Sequence, residues 1–337
     1  MSLLEVNHLG VHYRTRKGVA RAVDGVSFRV EEGENFGIVG ESGCGKSTLA
    51  KAVTRIFPQN AFIAHGEIFF KGRNLVEIGE QELRGIRWKE ISMISQSAMN
   101  TLDPVYRVGS QIVEAIRQHE KISNEKARAR AGELFQVVGL GVEHLRDYPH
   151  QLSGGMRQRA IIAMALALQP SLIIADEPTT ALDVITQDQI LTEFKEQKDK
   201  FSASMIFITH DISVIAEICD KIAVMYAGRF MEYGSIRDVI KTPFHPYTIG
   251  LQNSFLSIDV SHEKLISIPG FPPDLIHLPE GCLFRERCPF AEEICQELPE
   301  NVVVGPGHYS ACHFPDRIEE FRQRANQDET WIEKEIE

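Results

Sequence analysis

The sequence has no long apolar run, no leader-like N-terminus and no excess of positive charge. Its longest apolar stretch, residues 160–168, has nine residues, whereas a helix that spans a bilayer needs about 20. Residues 1–5 lack the basic and then apolar order of a signal peptide. The formal net charge of -11 disfavours nonspecific binding to nucleic acid. These absences predict a soluble cytoplasmic chain, for which docking on a membrane through a partner stays open.

The cysteines of the sequence indicate no disulfide framework and lack the short spacing that is typical of structural zinc sites. Six cysteines occur among 337 residues, and in a cytoplasmic chain they do not predict disulfides. Four of them, Cys282, Cys288, Cys295 and Cys312, follow C-x5-C-x6-C-x16-C, without the short C-x2–4-C knuckle of structural zinc sites. Three alternatives stay open: a [4Fe–4S] cluster, which we favour, a Zn²⁺ site, and unligated thiols packed as small apolar groups.

Strand-like and helix-like runs alternate along most of the chain, which is typical of an α/β fold. Short antiparallel strands are predicted at residues 4–13, 26–30 and 66–71. Buried strands, most of them suited to a parallel sheet, are predicted at 36–39, 91–95, 171–176, 205–209 and 222–225. The pattern is mainly helical between residues 100 and 169, with helices predicted at 111–119 and 124–139.

A glycine-rich stretch at residues 40–48 fits the phosphate-loop pattern G-x-x-x-x-G-K-[ST]. A predicted strand precedes it and a predicted helix follows it, so backbone N–H groups and the helix dipole would together favour an anion. Lys46 suits the β- and γ-phosphates of a nucleotide, and Ser47 suits Mg²⁺. The residues predicted to contact the nucleotide here are Gly40, Ser42, Gly43, Cys44, Gly45, Lys46, Ser47 and Thr48.

Two adjacent carboxylates, Asp176 and Glu177, follow the apolar run of the strand predicted at 171–176. In a parallel sheet, a strand of this kind ends beside the phosphate loop. Asp176 is therefore a candidate ligand of Mg²⁺, directly or through water, and Glu177 is a candidate general base that polarises the attacking water.

A second candidate anion site lies at Ser153, which precedes Asp176 by 23 residues (176 − 153 = 23). Ser153, Gly154 and Gly155 lead into a predicted helix, and Ser153 suits the N-cap of that helix. Two anion sites and one phosphate loop indicate that one chain completes the site of another.

The stretch at residues 152–159 resembles the signature motif of ATP-binding cassette (ABC) ATPases. Met156 stands where most members of that family have Gln, and this Met is seen in the peptide-transporter branch. Further family landmarks occur in order within residues 3–251. They are Tyr13 (adenine stacking), Gln96 (Q-loop), Ala181-Leu182-Asp183 (D-loop) and Thr209-His210-Asp211, with His210 as the switch histidine.

The resemblance implies a RecA-like P-loop core with an antiparallel β subdomain and a helical subdomain at about 97–168. It also implies a head-to-tail pair of ATPase chains, in which Ser153 and Gly155 of one chain cap the γ-phosphate that Lys46 of the other holds. Gln96 would sense Mg²⁺ and the γ-phosphate and couple this change to a membrane partner. His210 would contact the γ-phosphate, and hydrolysis would let the pair open.

Composition changes after about residue 254, and Pro and Gly become frequent from residue 268 onward. We therefore expect an ABC nucleotide-binding domain at 1–255 and a small Cys-rich domain at 256–337, which ends in a charged helix from residue 317. This region resembles the C-terminal extension of oligopeptide and dipeptide transporter ATPases. The matching segments are His245-Pro246-Tyr247-Thr248, Ile268-Pro269-Gly270, Gly281-Cys282 and Arg287-Cys288-Pro289.

The resemblance predicts an ATP-hydrolysing subunit that powers the import of di- or oligopeptides. Its expected partners are a second ABC ATPase subunit, two separate transmembrane permease subunits and an extracytoplasmic peptide-binding protein, at the cytoplasmic face of the cell membrane. One alternative is an importer of nickel or another small solute. A second alternative, an ATP-switched protein of ribosomes or nucleic acid, is disfavoured because the chain has one phosphate loop, no heptad run and an acidic balance.

Overall fold

The computed structural model describes residues 2–95, 101–179, 187–188, 190–192, 203–255 and 267–331. Its named strands are β1 (Ser2–Thr15), β2 (Gly18–Glu31), β3 (Asn35–Val39), β4 (Ala61–Phe70), β5 (Arg73–Asn74), β6 (Ile91–Ile94), β7 (Leu172–Asp176), β8 (Ser204–Thr209), β9 (Lys221–Tyr226), β10 (Arg229–Ser235), β11 (Val302–Gly305) and β12 (His308–Ser310). Its named α-helices are α1 (Lys46–Thr54), α2 (Glu80–Ile86), α3 (Val108–His119), α4 (Asn124–Val137), α5 (Gly154–Ala165), α6 (Ile212–Ile218), α7 (Ile236–Lys241), α8 (Pro246–Phe255) and α9 (Ile318–Ala325).

The chain divides into two compact units. The first unit comprises residues 1–3, 30–34 and 77–208, and the second comprises residues 4–29, 35–76 and 209–337, in each case over the residues that the structure describes. Each unit is therefore built from chain segments that are far apart in sequence.

The first unit contains three parallel strands in the order β6, β7, β8, the last of them up to Ile208. Every residue of β7 is buried, as expected for an apolar strand with both of its faces covered. Helices α3, α4 and α5 pack against one another in the same unit. Helix α4 begins where its predicted counterpart begins, because Ser123 caps it by accepting a hydrogen bond from the Lys126 N–H at 3.2 Å.

The second unit contains two groups of strands. The strand order of the first group is β2-β1-β4-β5, and β4 runs antiparallel to both β1 and β5. In the second group β3 pairs with β9 in parallel, and β9, β10, β12 and β11 continue it in that order with antiparallel pairing. The rings of Phe28 on β2 and Phe36 on β3 stack with their centroids 4.9 Å apart, so the two groups share an apolar core.

The C-terminal residues that the structure describes lie in the same compact unit as the phosphate loop. Strand β12 pairs with β10, with Ser310 opposite Glu232. The expected small Cys-rich domain is therefore not supported as a separate body, because its strands β11 and β12 join the strands of the nucleotide-binding part through the pairing of β12 with β10. The boundary near 255–265 falls mainly on residues outside the described ranges and stays a prediction.

The α/β alternation predicted from the sequence is confirmed, with differences at the ends of elements. The strands predicted at 205–209 and 222–225 lie within β8 and β9, and the helix predicted at 111–119 lies within α3. A charged helix was predicted from residue 317 onward. In the described part of this segment, up to residue 331, the structure has α9 and a short 3-10 turn, Asp328–Trp331. Within the described ranges, none of the helices is both long and apolar enough to cross a bilayer.

Candidate functional site

The phosphate loop connects β3 to α1 in the second unit. Gly40, Gly43 and Gly45 have φ values of 158°, 80° and 111°, which side chains with a Cβ rarely adopt. A Cβ on Gly40 would collide with the Met225 carbonyl oxygen, and a Cβ on Gly45 with the Ala22 carbonyl oxygen. Gly40 and Gly45 are therefore required by the close approach of neighbouring backbone, whereas Gly43 is favoured by the turn conformation alone.

The side chain of Lys46 lies folded into the loop. Lys46 is 5% exposed, and its Nζ donates to the carbonyl oxygens of Gly40 at 2.6 Å and Glu41 at 2.8 Å. The Cys44 thiol lies 3.7 Å from the same Nζ. Burial raises the pKa of Cys44, with Lys46 acting in the opposite direction, so the thiol is neutral. The structure thus places one positive charge at the centre of the predicted phosphate site.

The predicted adenine-stacking residue lies next to the same loop. The Tyr13 hydroxyl, on β1, is 3.1 Å from the Thr48 hydroxyl in the first turn of α1. Tyr13 is only partly buried, so part of its ring can contact a ligand. The structure therefore brings Tyr13 into contact with Thr48, which is 35 residues away in the sequence and two residues after Lys46.

The two candidate carboxylates lie at the end of β7 in the first unit, where Asp176 is the last residue of the strand and Glu177 follows it. Asp176 is 1% exposed. Glu177 has a φ of 49°, which costs a residue with a Cβ on the order of 1 kcal/mol. Its N–H donates to the Ile208 carbonyl oxygen at 2.8 Å, so the neighbouring strand β8 holds this backbone conformation. Strain of this kind is common where a side chain must be aimed at a reactive centre.

The second predicted anion site is at the start of α5, also in the first unit. Ser153 is the N-cap residue, and its Oγ accepts a hydrogen bond from the Met156 N–H at 3.2 Å. The predicted N-cap is therefore confirmed. Ser153 is exposed, and Gly154 and Gly155 are partly exposed, so the N-terminus of this helix is accessible to an anion.

The predicted switch histidine directly follows β8, in the segment from residue 209 that belongs to the second unit. His210 is exposed. The residues on either side of it are hydrogen-bonded to each other, because the Asp211 N–H donates to the Thr209 hydroxyl at 3.1 Å. Asp211 in turn caps α6 by accepting from the Ser213 N–H. His210 therefore lies on a turn whose backbone is held on both sides. Gln96 and the D-loop residues 181–183 lie outside the described residues.

The four cysteines of the C-terminal region share one neighbourhood of the second unit. Burial is the main cause that raises the pKa of Cys282, Cys288 and Cys312, in the last case to about 12. The charge of Cys295 adds to each of these shifts. Among the described residues, which include these four, no group of three or more His, Cys, Asp and Glu side chains is placed to hold a metal ion. The predicted zinc and iron–sulfur sites are therefore not supported by the geometry.

Two contacts of the phosphate loop were missed by the sequence analysis. Arg287 forms a paired hydrogen bond with the Glu41 carboxylate, and the Tyr247 hydroxyl accepts from the Glu41 N–H at 3.0 Å. Both residues belong to segments that matched a family pattern, but their position in the sequence carried no sign of what they contact. The sequence offered only their opposite charges, Glu41 in the loop and Arg287 in the C-terminal region, as a sign that the two residues pair.

The comparisons with known proteins agree with these features. The family described as "ABC transporter" matches residues 23–180, and the family described as "Oligopeptide/dipeptide transporter, C-terminal region" matches residues 231–295. A probable peptide ABC transporter ATP-binding protein of Sinorhizobium fredii is 47% identical over 315 residues, which cover 92% of this chain and 94% of the relative. The oligopeptide transport ATP-binding protein OppD of Salmonella typhimurium is 46% identical, with 93% of this chain and 94% of the relative covered.

Solved structures give the same result for the fold. A dimeric, post-hydrolysis structure of the ATP-binding cassette MJ0796 bound to ADP and Pi matches with a TM-score of 0.64 and 27% identity. The match covers 69% of this chain and 99% of that chain. The ABC cassette fold is thereby confirmed. With relatives this similar over nearly its whole length, the chain belongs to the ABC transporter ATPases, in the family of oligopeptide and dipeptide transport ATP-binding proteins.

Proposed function

We propose that this chain hydrolyses ATP to drive the import of dipeptides or oligopeptides through a separate membrane permease. The observation that carries the proposal is the phosphate loop, which follows strand β3 and leads to a buried Lys46 at the start of α1. The match of residues 231–295 to the C-terminal region of oligopeptide and dipeptide transporters supports peptides over nickel or another small solute. It also supports transport over a role with ribosomes or nucleic acid.

Four side chains are assigned to ATP in this proposal. Lys46 neutralises the β- and γ-phosphates, and Tyr13 stacks on the adenine beside the first turn of α1. Glu177 orients or deprotonates the attacking water, and its left-handed backbone supports a role that needs a fixed direction. His210 contacts the γ-phosphate from the turn after β8. The glycines and Ser42 of the loop supply backbone N–H groups.

Mg²⁺ would be held by Ser47 and Asp176, with Gln96 as the third predicted ligand. The donor set fits the ion, because carboxylate, hydroxyl and amide oxygens are the ligands that Mg²⁺ prefers. Asp176 is buried at the end of β7, and Ser47 lies in the first turn of α1. When bound, the ion neutralises negative charge on the phosphates.

The complete site would need a second ATPase chain, identical or related, in head-to-tail orientation. Ser153 and Gly155 would cap the γ-phosphate held by the other chain, since an accessible helix N-terminus favours an anion. The dimeric cassette structures support this arrangement. Two permease subunits and an extracytoplasmic peptide-binding protein would complete the importer, with this chain peripheral at the cytoplasmic face of the membrane.

The finer division of the fold is also a proposal. Strands β1, β2, β4 and β5 would form the antiparallel β subdomain. The helical subdomain would comprise residues of about 97–168, which include α3 and α4. The nucleotide-binding domain would end near residue 255. The strand pairing in the second unit and the helix packing in the first unit support the two subdomains.

The [4Fe–4S] cluster stays a hypothesis about the four cysteines. It rests on the number of cysteines and their lack of short knuckles, and on their mutual influence, since Cys282 and Cys295 raise the pKa of both Cys288 and Cys312. Iron and acid-labile sulfide are to be measured on protein purified without oxygen. About four of each per chain would support the cluster, whereas colourless protein with stoichiometric zinc, or with no metal, would exclude it.

The role of Glu177 tests the proposed activity. In the assembled transporter, Glu177→Gln should keep ATP binding but lower steady-state ATP hydrolysis by about 100-fold or more, because a general base contributes about 10²–10⁴-fold to a rate. Glu133→Gln on the exposed surface of α4 makes the same change of charge and should keep wild-type turnover. Lys46→Ala should lose both ATP binding and peptide uptake. Normal hydrolysis by Glu177→Gln would remove this residue from the mechanism.

A further inference from the structure

The phosphate loop carries one acidic side chain. Glu41 directly follows Gly40 in the loop that is to receive a triphosphate. An unpaired negative charge so close to the phosphates would repel them, and it would also compete with them for Lys46. Lys46 Nζ donates to the backbone carbonyl oxygen of Glu41, so the residue that carries this carboxylate is a direct neighbour of the Lys46 ammonium group. The charge of Glu41 therefore has to be controlled if the loop is to bind ATP tightly.

Arg287 supplies this control from the C-terminal region, 246 residues away in the sequence. Its Nη1 and Nη2 donate to the two oxygens of Glu41 at 2.6 and 2.9 Å. This paired geometry is the strongest form of a carboxylate contact, and Lys cannot reproduce it. The Arg287 side chain is 7% exposed and that of Glu41 is 25% exposed, so the pair is largely shielded from water.

The guanidinium of Arg287 is itself held in place. Its Nε donates to the Pro269 carbonyl oxygen at 2.8 Å, and its Nη1 also lies 3.3 Å from the Tyr226 hydroxyl. Burial alone would lower the pKa of Arg287, but its hydrogen bonds to Glu41 and Tyr226 outweigh burial and raise it. The group is therefore a permanent positive charge in a fixed orientation.

A second contact fixes the backbone of the same loop residue. The Tyr247 hydroxyl, from α8, accepts the Glu41 N–H at 3.0 Å, and Tyr247 has no exposed surface. The side chain, the N–H and the carbonyl oxygen of Glu41 are thus all engaged, by Arg287, Tyr247 and Lys46. Two of these three partners come from the region beyond residue 240.

We propose that Arg287 is a positioning residue of the ATP site, which neutralises the Glu41 carboxylate and holds its side chain in place beside the phosphate loop. The C-terminal region is thereby part of the nucleotide site in the same chain. Arg287 acts through Glu41 and does not itself contact ATP. Its loss frees a carboxylate beside the phosphates, so it weakens ATP binding, and removal of that carboxylate cancels the effect.

The test is a double-mutant cycle on the full chain with ATP itself, measured by calorimetry. Arg287→Gln is expected to raise the Kd for ATP about tenfold, which corresponds to about 1.4 kcal/mol. In the Glu41→Gln background, which serves as the reference, the same substitution should change the Kd by less than about twofold. In the assembled transporter, Arg287→Gln should raise the KM for ATP and leave kcat nearly unchanged, because it does not alter the hydrolytic residues.

The matched control is Arg317→Gln, which removes an arginine of the same C-terminal region that pairs with Glu292. It should leave the Kd for ATP at the wild-type value. If Arg287→Gln does not fold, Arg287→Lys replaces it, since it keeps the charge but loses the paired donors. An approximately threefold higher Kd for ATP in Arg287→Lys would then support the proposal, provided that the difference disappears in the Glu41→Gln background.

Two results would overturn the proposal. The first is a Kd for ATP that is the same in the wild type and in the Arg287 variant that folds. The second is a weakened Kd that persists undiminished in the Glu41→Gln background. That result would mean that Arg287 stabilises the fold of the C-terminal region and does not act on ATP binding by neutralising Glu41.

Discussion

His245 should make the folded protein sensitive to mild acid. This residue precedes α8 and is 1% exposed. Its Nδ1 accepts the Tyr247 N–H at 3.0 Å. Burial lowers the pKa of His245 from 6.5 to about 3, and a hydrogen bond with the Ala311 backbone only partly opposes this. The side chain is therefore neutral in the folded protein at pH values where the unfolded chain already carries a proton.

The sign and size of the effect follow from proton linkage. Between pH 6.5 and about pH 3 the unfolded state binds one proton that the folded state does not, so the free energy of unfolding falls as the pH falls. Each pH unit in this window corresponds to about 1.4 kcal/mol. Between pH 7 and pH 5 the contribution of His245 is then about 2 kcal/mol of lost stability.

The assay is urea unfolding of the wild type and of His245→Asn at pH 7 and pH 5. Asn keeps an oxygen acceptor near the position of Nδ1 but does not titrate, so the variant should lose about 2 kcal/mol less than the wild type between the two pH values. Phe284→Leu is the control, because its ring packs 6.0 Å from that of His245, centroid to centroid. It should lower stability equally at both pH values. An equal loss for wild type and His245→Asn would refute the reasoning.

Two further predictions concern backbone space and a buried hydrogen bond. Gly45→Ala should destabilise the protein and abolish ATP binding, because its Cβ would collide with backbone. Gly43→Ala, where a Cβ meets nothing within 4 Å, should cost only about 1 kcal/mol of backbone strain without nucleotide, and thermal unfolding compares the two. His308→Ala should lower the free energy of unfolding by about 2 kcal/mol, because the buried Glu232 carboxylate loses its hydrogen bond to Nε2 at 2.8 Å. Equal stability of His308→Ala and wild type in urea would contradict this.

Much of the candidate site could be predicted because its residues belong to short local patterns. A phosphate loop is a strand, a turn and a helix in direct succession, so the roles of its glycines and of Lys46 follow from spacing alone. The same holds for Ser153, since an N-cap involves only the residues that follow it. The carboxylates at the end of β7, Asp176 and Glu177, could be predicted because four apolar residues in succession indicate a buried strand.

The C-terminal region was predicted less well because its partners are distant in sequence. The cysteine spacing favoured a metal site in a separate domain, yet β12 pairs with β10 and the described residues contain no group placed to hold a metal ion. Cysteine spacing reports which thiols are available, but it does not report their mutual distances in the fold.

By itself, the sequence determined the α/β class, the phosphate loop and the family, because these depend on residues a few positions apart. Only the tertiary structure decided that Arg287 and Tyr247 close on Glu41. A paired ion contact across 246 residues has no periodicity or spacing that a linear pattern can show. It exists because the strands and helices between these residues bring the C-terminal region back to the loop where the chain binds phosphate.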